Sequence, residues 1–463
     1  MIYDIVIKNG TIVEPRSEQQ TRGNIGIKDG IIAKISRKEM EGKEIIDATG
    51  SIVCPGFIDI HSHLNSDLYS VWLSVSQGIT TCLSGNCGMS PFIPLGEFLD
   101  SLETSGYPIN FATLVGHSWT LRDMVGIQDP NATATPEQTM QMVAIAEQAL
   151  EDGAFGVSLG LEYAPGATAE EYMPLVELAA KYDKLVPIHI RTDALDFAVG
   201  IREAIAMSEK TGARVQISHL AYQLGVHPEV TQMALVMIEN AIQKGLPIMC
   251  DSGIYESFAT YVNSAVFADG WNQRYACEIS DLMISTGKYA GQRATPEILA
   301  YIRANEEDTV GTAFVGVIPD LARAIIPPYV MMSTDAGLSD KPGNGHPQDV
   351  GTFPRFFQKL VREQGVLSMM EAVKKSSYLP AIQMGISQTK GWLGSGADAD
   401  IVIFNPKTIR DNADYIGIGQ PDARPTGINY VIVNGVIVVA EETMYQNRLP
   451  GKILRQPNKL WSL

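Results

Sequence analysis

The chain has 463 residues, more than one small core uses and enough for a barrel domain of roughly 250 residues plus a second domain. Hydrophobic residues make up 45% of it, and 52 acidic residues against 35 basic ones give a formal charge of -17. Because nucleic acid and anionic membrane surfaces repel an acidic protein, neither is an expected partner.

Both ends of the chain contain short strand-like runs that end at turn residues. Residues 1–54 include YDIVIKNG, NIGIKDG and EIIDATG, which are rich in β-branched residues and end at Gly, Asn or Asp. Residues 395–463 include ADIVIFNP and INYVIVNG, which have the same character. We predict that the two ends join in one small β-sandwich domain; two separate small sheets are the alternative.

The middle of the chain, residues 55–394, alternates apolar strand-length runs with longer helical patterns, which predicts parallel βα units. The predicted strands are 56–63, 78–86, 110–117, 153–163, 185–191, 214–220, 246–253 and 329–337. Eight such units close a TIM-type (β/α)8 barrel, so the predicted fold class is α/β. The segment between the last two strands is longer than one helix needs. We assign its surplus, about 256–310, to an insertion over the barrel mouth.

Side chains that can bind metal recur at the carboxyl ends of these predicted strands. The residues concerned are His61, His63, Cys87, His117, Glu162, His189, His219, Asp251 and Asp335. In a (β/α)8 barrel these strand ends meet at one mouth, where active sites lie. Five of the seven histidines in the chain lie at these strand ends. Histidines that only fill a core would not concentrate there.

The spacing of the histidines points to a shared ion. His61 and His63 are two apart on a strand, so both rings lie on the same face. His189 and His219 are separated by one βα unit and should lie on adjacent strands. With a thiolate or carboxylate added, they form a suitable ligand set for Zn²⁺. The alternative is that these histidines are hydrogen-bonded structural residues.

Several motifs carry a resemblance to a known family. GFIDIHSH, SGNCGMSP, PIHIR, ISHL and MMSTDAG follow the order and spacing of the amidohydrolase superfamily. Within it, GNCG, GLEYAPGA, GNGHPQDVGTFPR and GADADIVIFNP resemble the N-acyl-D-amino-acid deacylases, or D-aminoacylases. The resemblance implies a zinc-dependent hydrolase of linear C–N amide bonds that acts on a small-molecule substrate.

The resemblance also implies how metal is held. A tightly bound Zn²⁺ would use Cys87, His189 and His219, and a weaker second site would use His61, His63 and Asp335. Many binuclear relatives bridge their metals with a carbamylated Lys at the end of strand four. Here no Lys lies between Lys43 and Lys181, and the deacylases use the Cys of GNCG instead. Glu162 is the alternative bridging ligand.

The chemistry of amide hydrolysis requires a group that moves protons. A carboxylate beside the metal takes a proton from water and passes it to the leaving nitrogen. Asp335 matches the strand-eight Asp of the superfamily and is the predicted catalytic residue. Its alternative role is an N-cap for the next turn.

Substrate contacts are predicted for His117, Tyr255, His346 and Gln348, and for His117 a hydrogen-bonding role behind the site is the alternative. The deacylases usually have HPR after strand eight, whose Arg can pair with a substrate carboxylate. This chain has Gln348 there, and it also departs from the family after strands six and seven. A cyclic-amide hydrolase of the hydantoinase or dihydroorotase kind is therefore the alternative enzyme. An inactive binding protein on the same fold is the non-enzyme alternative.

The five cysteines have no paired-motif spacing, so no disulfide framework is implied. The first residues do not form a signal peptide, and no run of about 18 apolar residues predicts a membrane span. A cytoplasmic location is therefore expected. A homo-oligomer is expected by analogy with other proteins of this fold.

Overall fold

The computed structural model describes residues 2–91, 93–223, 228–316, 318–339, 341–441 and 443–456. His227, to which the sequence assigns no role, lies outside these ranges. Across the described ranges, every helix is too short or too polar to cross a lipid bilayer.

The strands in chain order are β1 (Tyr3–Glu14), β2 (Gln19–Lys28), β3 (Ile31–Ser36), β4 (Gly42–Asp47), β5 (Ile52–Pro55), β6 (Phe57–Asp59), β7 (Ile79–Ser84), β8 (Asn110–Thr113), β9 (Val115–Gly116), β10 (Val157–Gly160), β11 (Leu185–His189), β12 (Arg214–Ile217), β13 (Ile248–Ser252), β14 (Ser257–Tyr261), β15 (Leu282–Ile284), β16 (Val310–Phe314), β17 (Val330–Met332), β18 (Ile401–Phe404), β19 (Ile428–Val433), β20 (Val436–Ala440) and β21 (Thr443–Met444). The α-helices are α1 (Leu68–Ser76), α2 (Leu95–Ser105), α3 (Arg122–Met124), α4 (Pro136–Glu151), α5 (Ala169–Lys181), α6 (Phe197–Thr211), α7 (Leu220–Gln223), α8 (Pro228–Gln243), α9 (Trp271–Arg274), α10 (Pro296–Asn305), α11 (Ile318–Ile325), α12 (Gln348–Phe356), α13 (Met369–Val373) and α14 (Leu379–Gln383).

The two ends of the chain share one β-sheet, in the order β21-β20-β19-β18-β5-β1-β2-β3, with β4 beside β1. The two ends meet where β18 pairs antiparallel with β5, and Val402 lies opposite Cys54. Isoleucines and valines from both ends then bury one common core, including Ile7, Ile27 and Ile403. Alternating β-branched residues favour strands because they pack well on a half-buried pleated surface.

The barrel is built from parallel strands. They run β6-β7-β8 and then β9-β10-β11-β12-β13-β17, with β8 and β9 together forming the third strand position. The ring closes beyond β6 and β17, where Ser62 pairs with Ala336 and the Asp335 amide donates to the His61 carbonyl at 2.9 Å. The predicted fold class, a TIM-type barrel with a β-domain built from both ends, is confirmed.

The helices that follow the strands begin at sequence signals that are typical of helix starts. Thr135 caps α4 in a capping box with Gln138, and Pro136 occupies the first turn. The Thr295 side chain caps α10 by accepting the Ile298 amide, and Pro296 follows it. These caps satisfy amide groups that the first turn of a helix leaves without partners.

The segment between β13 and β17 forms a small antiparallel sheet in the order β14-β16-β15, with its own apolar core around Phe267 and Trp271. This insertion was predicted at about 256–310, but its last strand continues to Phe314. Residues of β14 line the space above the barrel mouth. The insertion therefore covers the carboxyl ends of the barrel strands.

The end of the described chain departs from the predicted domain division. Residues 395–463 were assigned to the β-domain, yet Ile453 pairs with Phe111 of the barrel and the Gln456 amide donates to the Gly153 carbonyl at 2.9 Å. The segment pairs with the backbone of β8, because an uncovered strand edge offers unpaired donors and acceptors. The segment from 450 to 456 thus packs along the barrel.

Candidate metal centre

Six side chains that the sequence places at strand ends come together at the barrel mouth. They are His61, His63, Cys87, His189, His219 and Asp335. His61 and His63 follow β6, and His189 is the last residue of β11. They meet because parallel strands bring their carboxyl ends to one face of the barrel. All six side chains are buried or nearly so.

One group of donor atoms consists of a thiol and two imidazoles. Cys87 Sγ lies 3.8 Å from His189 Nδ1 and 3.4 Å from His219 Nε2. The two ring nitrogens are 3.0 Å apart. Atoms that share one tetrahedral Zn²⁺ lie roughly 3.3–3.6 Å from each other. The spacing of this group therefore fits a single zinc ion.

A second group adjoins the first through the same sulfur atom. Cys87 Sγ lies 3.3 Å from His61 Nε2, and the potential ligand atoms of His61, His63 and Cys87 all lie within 4.8 Å of one another. Asp335 Oδ1 is 3.3 Å from His61 Nε2 and 3.1 Å from His63 Nε2. The sulfur of Cys87 thus belongs to both groups of donor atoms.

The backbone is unusual at three of these residues. Cys87, His219 and Asp335 have φ angles of 52°, 34° and 60°, in the left-handed region that residues with a Cβ seldom adopt. Such backbone conformations cost about 1–3 kcal/mol each and tend to cluster at functional sites. Here they turn side chains from the ends of three strands toward one point.

Carboxylates behind the donors hold the rings in place. Glu162 Oε2 lies 2.6 Å from His189 Nε2, so the other ring nitrogen of His189, Nδ1, is the one that faces Cys87. Asp251 Oδ1 lies 3.3 Å from His61 Nδ1 and accepts the His219 backbone amide at 3.0 Å. A carboxylate on the far nitrogen of a ligating histidine is common in zinc sites. Asp251 thus contacts and orients its neighbours, whereas Glu162 contacts His189 on the side away from Cys87.

The charges around Cys87 favour its thiolate. Burial alone would raise the pKa of this thiol, but the neighbouring rings of His61 and His219 outweigh it and hold the pKa well below the usual range. A thiolate is the form of cysteine that binds metal. By contrast, burial raises the pKa of Cys54, which lies in the terminal sheet.

A cavity of about 100 Å³ opens above the donors and is lined by His63, Asn65, Cys87, Met89, Trp119, Tyr163, His219, Ala259, Thr260, Tyr261, Asp335, Gly337 and Leu338. The Trp119 ring lies 5.5 Å from Tyr163 and 6.1 Å from Tyr261 between centroids, so aromatic faces form one wall. Tyr163 Oη and Thr260 Oγ1 are hydrogen-bonded at 3.1 Å. The wall is therefore built jointly by barrel loops and the insertion.

His117 was predicted to contact substrate, but its side chain points away from this cavity. Its Nε2 is 2.9 Å from Glu171 Oε1, which also pairs with Arg122, and its Nδ1 is 3.0 Å from Ser118 Oγ. The ring is fully buried. Both ring nitrogens are thus engaged with protein partners, and the position supports a structural role.

Tyr255, His346 and Gln348 were also predicted to contact substrate, and the structure places them behind the donors. Tyr255 Oη donates to Asp411 Oδ2 at 2.7 Å, and Gln348 Nε2 donates to the Asp335 backbone carbonyl at 2.6 Å. His346 Nε2 is 2.8 Å from Ser257 Oγ. All three side chains are buried, bonded to protein partners and outside the lining of the cavity, so these contacts support structural roles.

The burial of His346 predicts a pH-dependent contribution to stability. Burial lowers the pKa of His346 to about 3, whereas an unfolded histidine titrates near 6.5. The unfolded state therefore binds the extra proton as pH falls below about 6.5, and stability declines in that range. Between pH 7.5 and pH 5.0, we expect the free energy of unfolding to fall by about 2 kcal/mol more in wild type than in His346→Gln.

Urea unfolding of the metal-free proteins at the two pH values measures this difference, with loss of bound metal removed as a variable. Parallel declines in the variant and the wild type would contradict the assignment.

Several residues of the site carried no sequence assignment. Trp119 and Tyr163 follow strand ends three and four, so their position in the barrel could have indicated them. Tyr261 and Arg274 belong to the insertion, which was predicted to lie over the mouth but whose individual side-chain contacts no local pattern predicts. Arg274 Nη2 lies 2.6 Å from Glu162 Oε1, directly behind His189.

A closed parallel barrel whose strand ends gather imidazole, thiol and carboxylate groups has the architecture of a barrel metalloenzyme. The model of the Amidohydrolase family matches residues 52–438, and the chain belongs to this family.

Comparisons with individual proteins extend over nearly the whole chain. N-acyl-D-glutamate deacylase of Alcaligenes xylosoxydans xylosoxydans is 29% identical, covering 98% of this chain and 96% of that protein. The crystal structure of N-acyl-D-glutamate deacylase from Bordetella bronchiseptica, complexed with zinc and a phosphonate inhibitor, superposes with a TM-score of 0.84 at 28% identity, covering 98% and 100%. Dihydroorotase of Streptococcus pneumoniae is 25% identical, and the match covers 94% of this chain and 99% of that protein. The chain is thus more similar to the deacylases than to this cyclic-amide hydrolase.

Proposed function

We propose that this enzyme is a zinc-dependent hydrolase of C–N amide bonds that resembles the N-acyl-D-amino-acid deacylases in its reaction. The observation that carries the proposal is the position of Cys87, whose sulfur lies within 3.3–3.8 Å of three histidine nitrogens at the base of the cavity. Membership in both donor groups supports a bridging role for Cys87, the role that the resemblance of the GNCG motif to the deacylases implies.

The donor set supports a proposed assignment of two metal sites. Cys87, His189 and His219 would hold the tighter ion, because Glu162 fixes one of the rings and the thiolate is favoured. His61, His63 and Asp335 would hold a weaker one. When bound, zinc polarises a carbonyl group and lowers the pKa of water to about 7.

Asp335 is the group proposed to move the proton. Its carboxylate faces the cavity, and the imidazoles of His61 and His63 hold its pKa well below the usual range, against the effect of burial. The carboxylate therefore enters the reaction ionised and can accept a proton from water. The same atom can then deliver the proton to the amide nitrogen as the C–N bond breaks.

The cavity supports a compact acyl or side-chain group with aromatic contacts. Trp119, Tyr163 and Tyr261 supply the wall, and among the described lining residues no Lys or Arg faces the space. A carboxylate on the substrate would therefore find no cation in that lining, which keeps a cyclic or uncharged amide as the second candidate. Release of an acid and an amine, as against ring opening, separates the two.

Metal content and substrate preference test the proposal together. We expect the purified protein to contain about one tightly held zinc per chain and to lose activity on treatment with a chelator, because removal of the ion removes the polarising group. Activity should return when zinc is added back. N-acyl-D-amino acids, their L-forms and cyclic amides are then compared by kcat/KM.

D-selective deacylation would support the deacylase assignment, and turnover of cyclic amides alone would replace it with the second candidate. Zinc without turnover on any amide would favour the inactive binding protein. A protein without bound metal would overturn the proposal.

We infer that the protein is cytoplasmic, and we predict that it forms a homo-oligomer. All five cysteines are free thiols, and Cys87 is needed as a thiolate, which a reducing compartment preserves. Size measurement by light scattering tests the oligomer.

A further inference from the structure

An ion-pair network connects the insertion to the metal ligand His189. Arg274, at the end of α9 in the insertion, lies 2.6 Å from Glu162 Oε1 through Nη2 and 3.2 Å from Asp193 Oδ1 through Nε. Glu162 in turn lies 2.6 Å from His189 Nε2 through its other oxygen. One carboxylate is thus shared between a ligand of the barrel and a cation of the insertion.

Burial makes these contacts consequential. Glu162 and Asp193 are only 4% and 2% exposed, and both belong to the barrel. Two buried carboxylates at close quarters are costly unless a cation pairs with them. Arg274 pairs with both at once, and the Tyr275 hydroxyl donates a hydrogen bond to Asp193. The barrel mouth therefore depends on the insertion for its charge balance.

The direction of the contacts also matters. Glu162 can orient His189 only if its second oxygen is held elsewhere, because a free carboxylate rotates about its own bond. Arg274 holds that oxygen and stacks on the Tyr275 ring, with the guanidinium carbon 5.1 Å from the ring centre. Planar guanidinium groups suit such two-sided contacts better than lysine does.

We propose that Arg274 is a positioning residue for His189, acting through Glu162, so that docking of the insertion and metal binding stabilise each other. The inference rests on the metal centre proposed above and adds a coupling between the cover and the ion. Such coupling is reciprocal: if the docked insertion tightens metal binding, metal must stabilise the docked insertion to the same extent.

The rate of zinc loss to a chelator tests the first half of this coupling. Three variants of the zinc-loaded enzyme are compared with wild type: Arg274→Met, Arg274→Lys and the control Arg303→Met. Arg303 lies in the same insertion but pairs with the exposed Asp269 at 3.3 Å, away from the centre. We expect Arg274→Met to weaken zinc retention by up to roughly 10-fold, the lower end of the range for direct partners of a ligand, because Arg274 acts through Glu162. Arg274→Lys should restore part of it, and Arg303→Met should behave like wild type.

Hydrogen exchange of wild type tests the second half and needs no variant. We expect zinc to slow exchange of backbone amides in residues 257–314 relative to the metal-free protein, with β1 to β3 unchanged as an internal reference. In Arg274→Met the zinc-dependent slowing should disappear.

Two results overturn the proposal while leaving the metal centre intact: zinc loss from Arg274→Met at the wild-type rate, or equal exchange of 257–314 with and without zinc in wild type. The second result stands even if Arg274→Met does not fold. Wild-type protein that binds no zinc overturns the metal centre and this inference together.

Discussion

Asp335→Asn should retain the fold and bound zinc but lose nearly all turnover. Asparagine keeps the shape of the side chain and tolerates the left-handed backbone of this position, where φ is 60°. Its amide oxygen can still face His63, which lies 3.1 Å from Asp335. It cannot accept a proton from water, so we expect kcat to fall roughly 10²- to 10⁴-fold.

Steady-state kinetics with matched zinc loading measures the effect. Asp67→Asn is the control, since Asp67 lies in the loop after β6 and caps α1, a role that asparagine fills equally well. This control should have wild-type activity. An Asp335→Asn enzyme with a tenth or more of the wild-type rate would remove Asp335 as the proton-transfer group.

Cys87→Ala should abolish tight zinc binding. The sulfur of Cys87 belongs to both donor groups, so its removal takes a ligand from each. Loss of a partner behind a ligand already costs roughly 10- to 100-fold in metal affinity, and loss of the ligand itself should exceed that range. We therefore expect little zinc after dialysis and no measurable turnover. Metal analysis of the purified variant gives the result directly.

Cys54→Ala provides the matched control, because it also removes a fully buried thiol, but in β5 of the terminal sheet. It should lose some stability through the small cavity and keep its zinc. If Cys87→Ala retained zinc at the level of the control, the metal would have to be held by His61, His63, His189, His219 and Asp335 alone, and Cys87 would not bridge the two clusters.

The barrel and the gathering of donor groups were predictable because both follow from short-range patterns. Apolar runs of strand length recur with helical segments between them, and parallel strands bring their ends together. Once His189 and His219 are placed one βα unit apart, their proximity follows from the topology, and the observed separation of their ring nitrogens is 3.0 Å.

Residues behind and above the donors were harder to predict from the sequence. His346 lies in the loop after strand eight and Gln348 begins α12, and both were predicted to face substrate. Instead, Gln348 donates to the Asp335 backbone carbonyl and His346 contacts Ser257. A loop residue has no fixed side-chain periodicity, so its direction depends on the packing around it. Similarly, Glu162 was weighed as a bridging ligand, and only the fold shows it on the far side of His189.

The sequence by itself determined the fold class, the eight strand positions and the set of potential ligands, because period-two and helical patterns together with strand-end chemistry are local properties. Only the tertiary structure decided which nitrogen of each histidine faces the centre, which aromatic rings form the wall, and that Arg274 reaches Glu162 across 112 positions of the chain (274 − 162). Those features arise where an insertion packs on a barrel, and such contacts depend on shape and charge between segments distant in sequence.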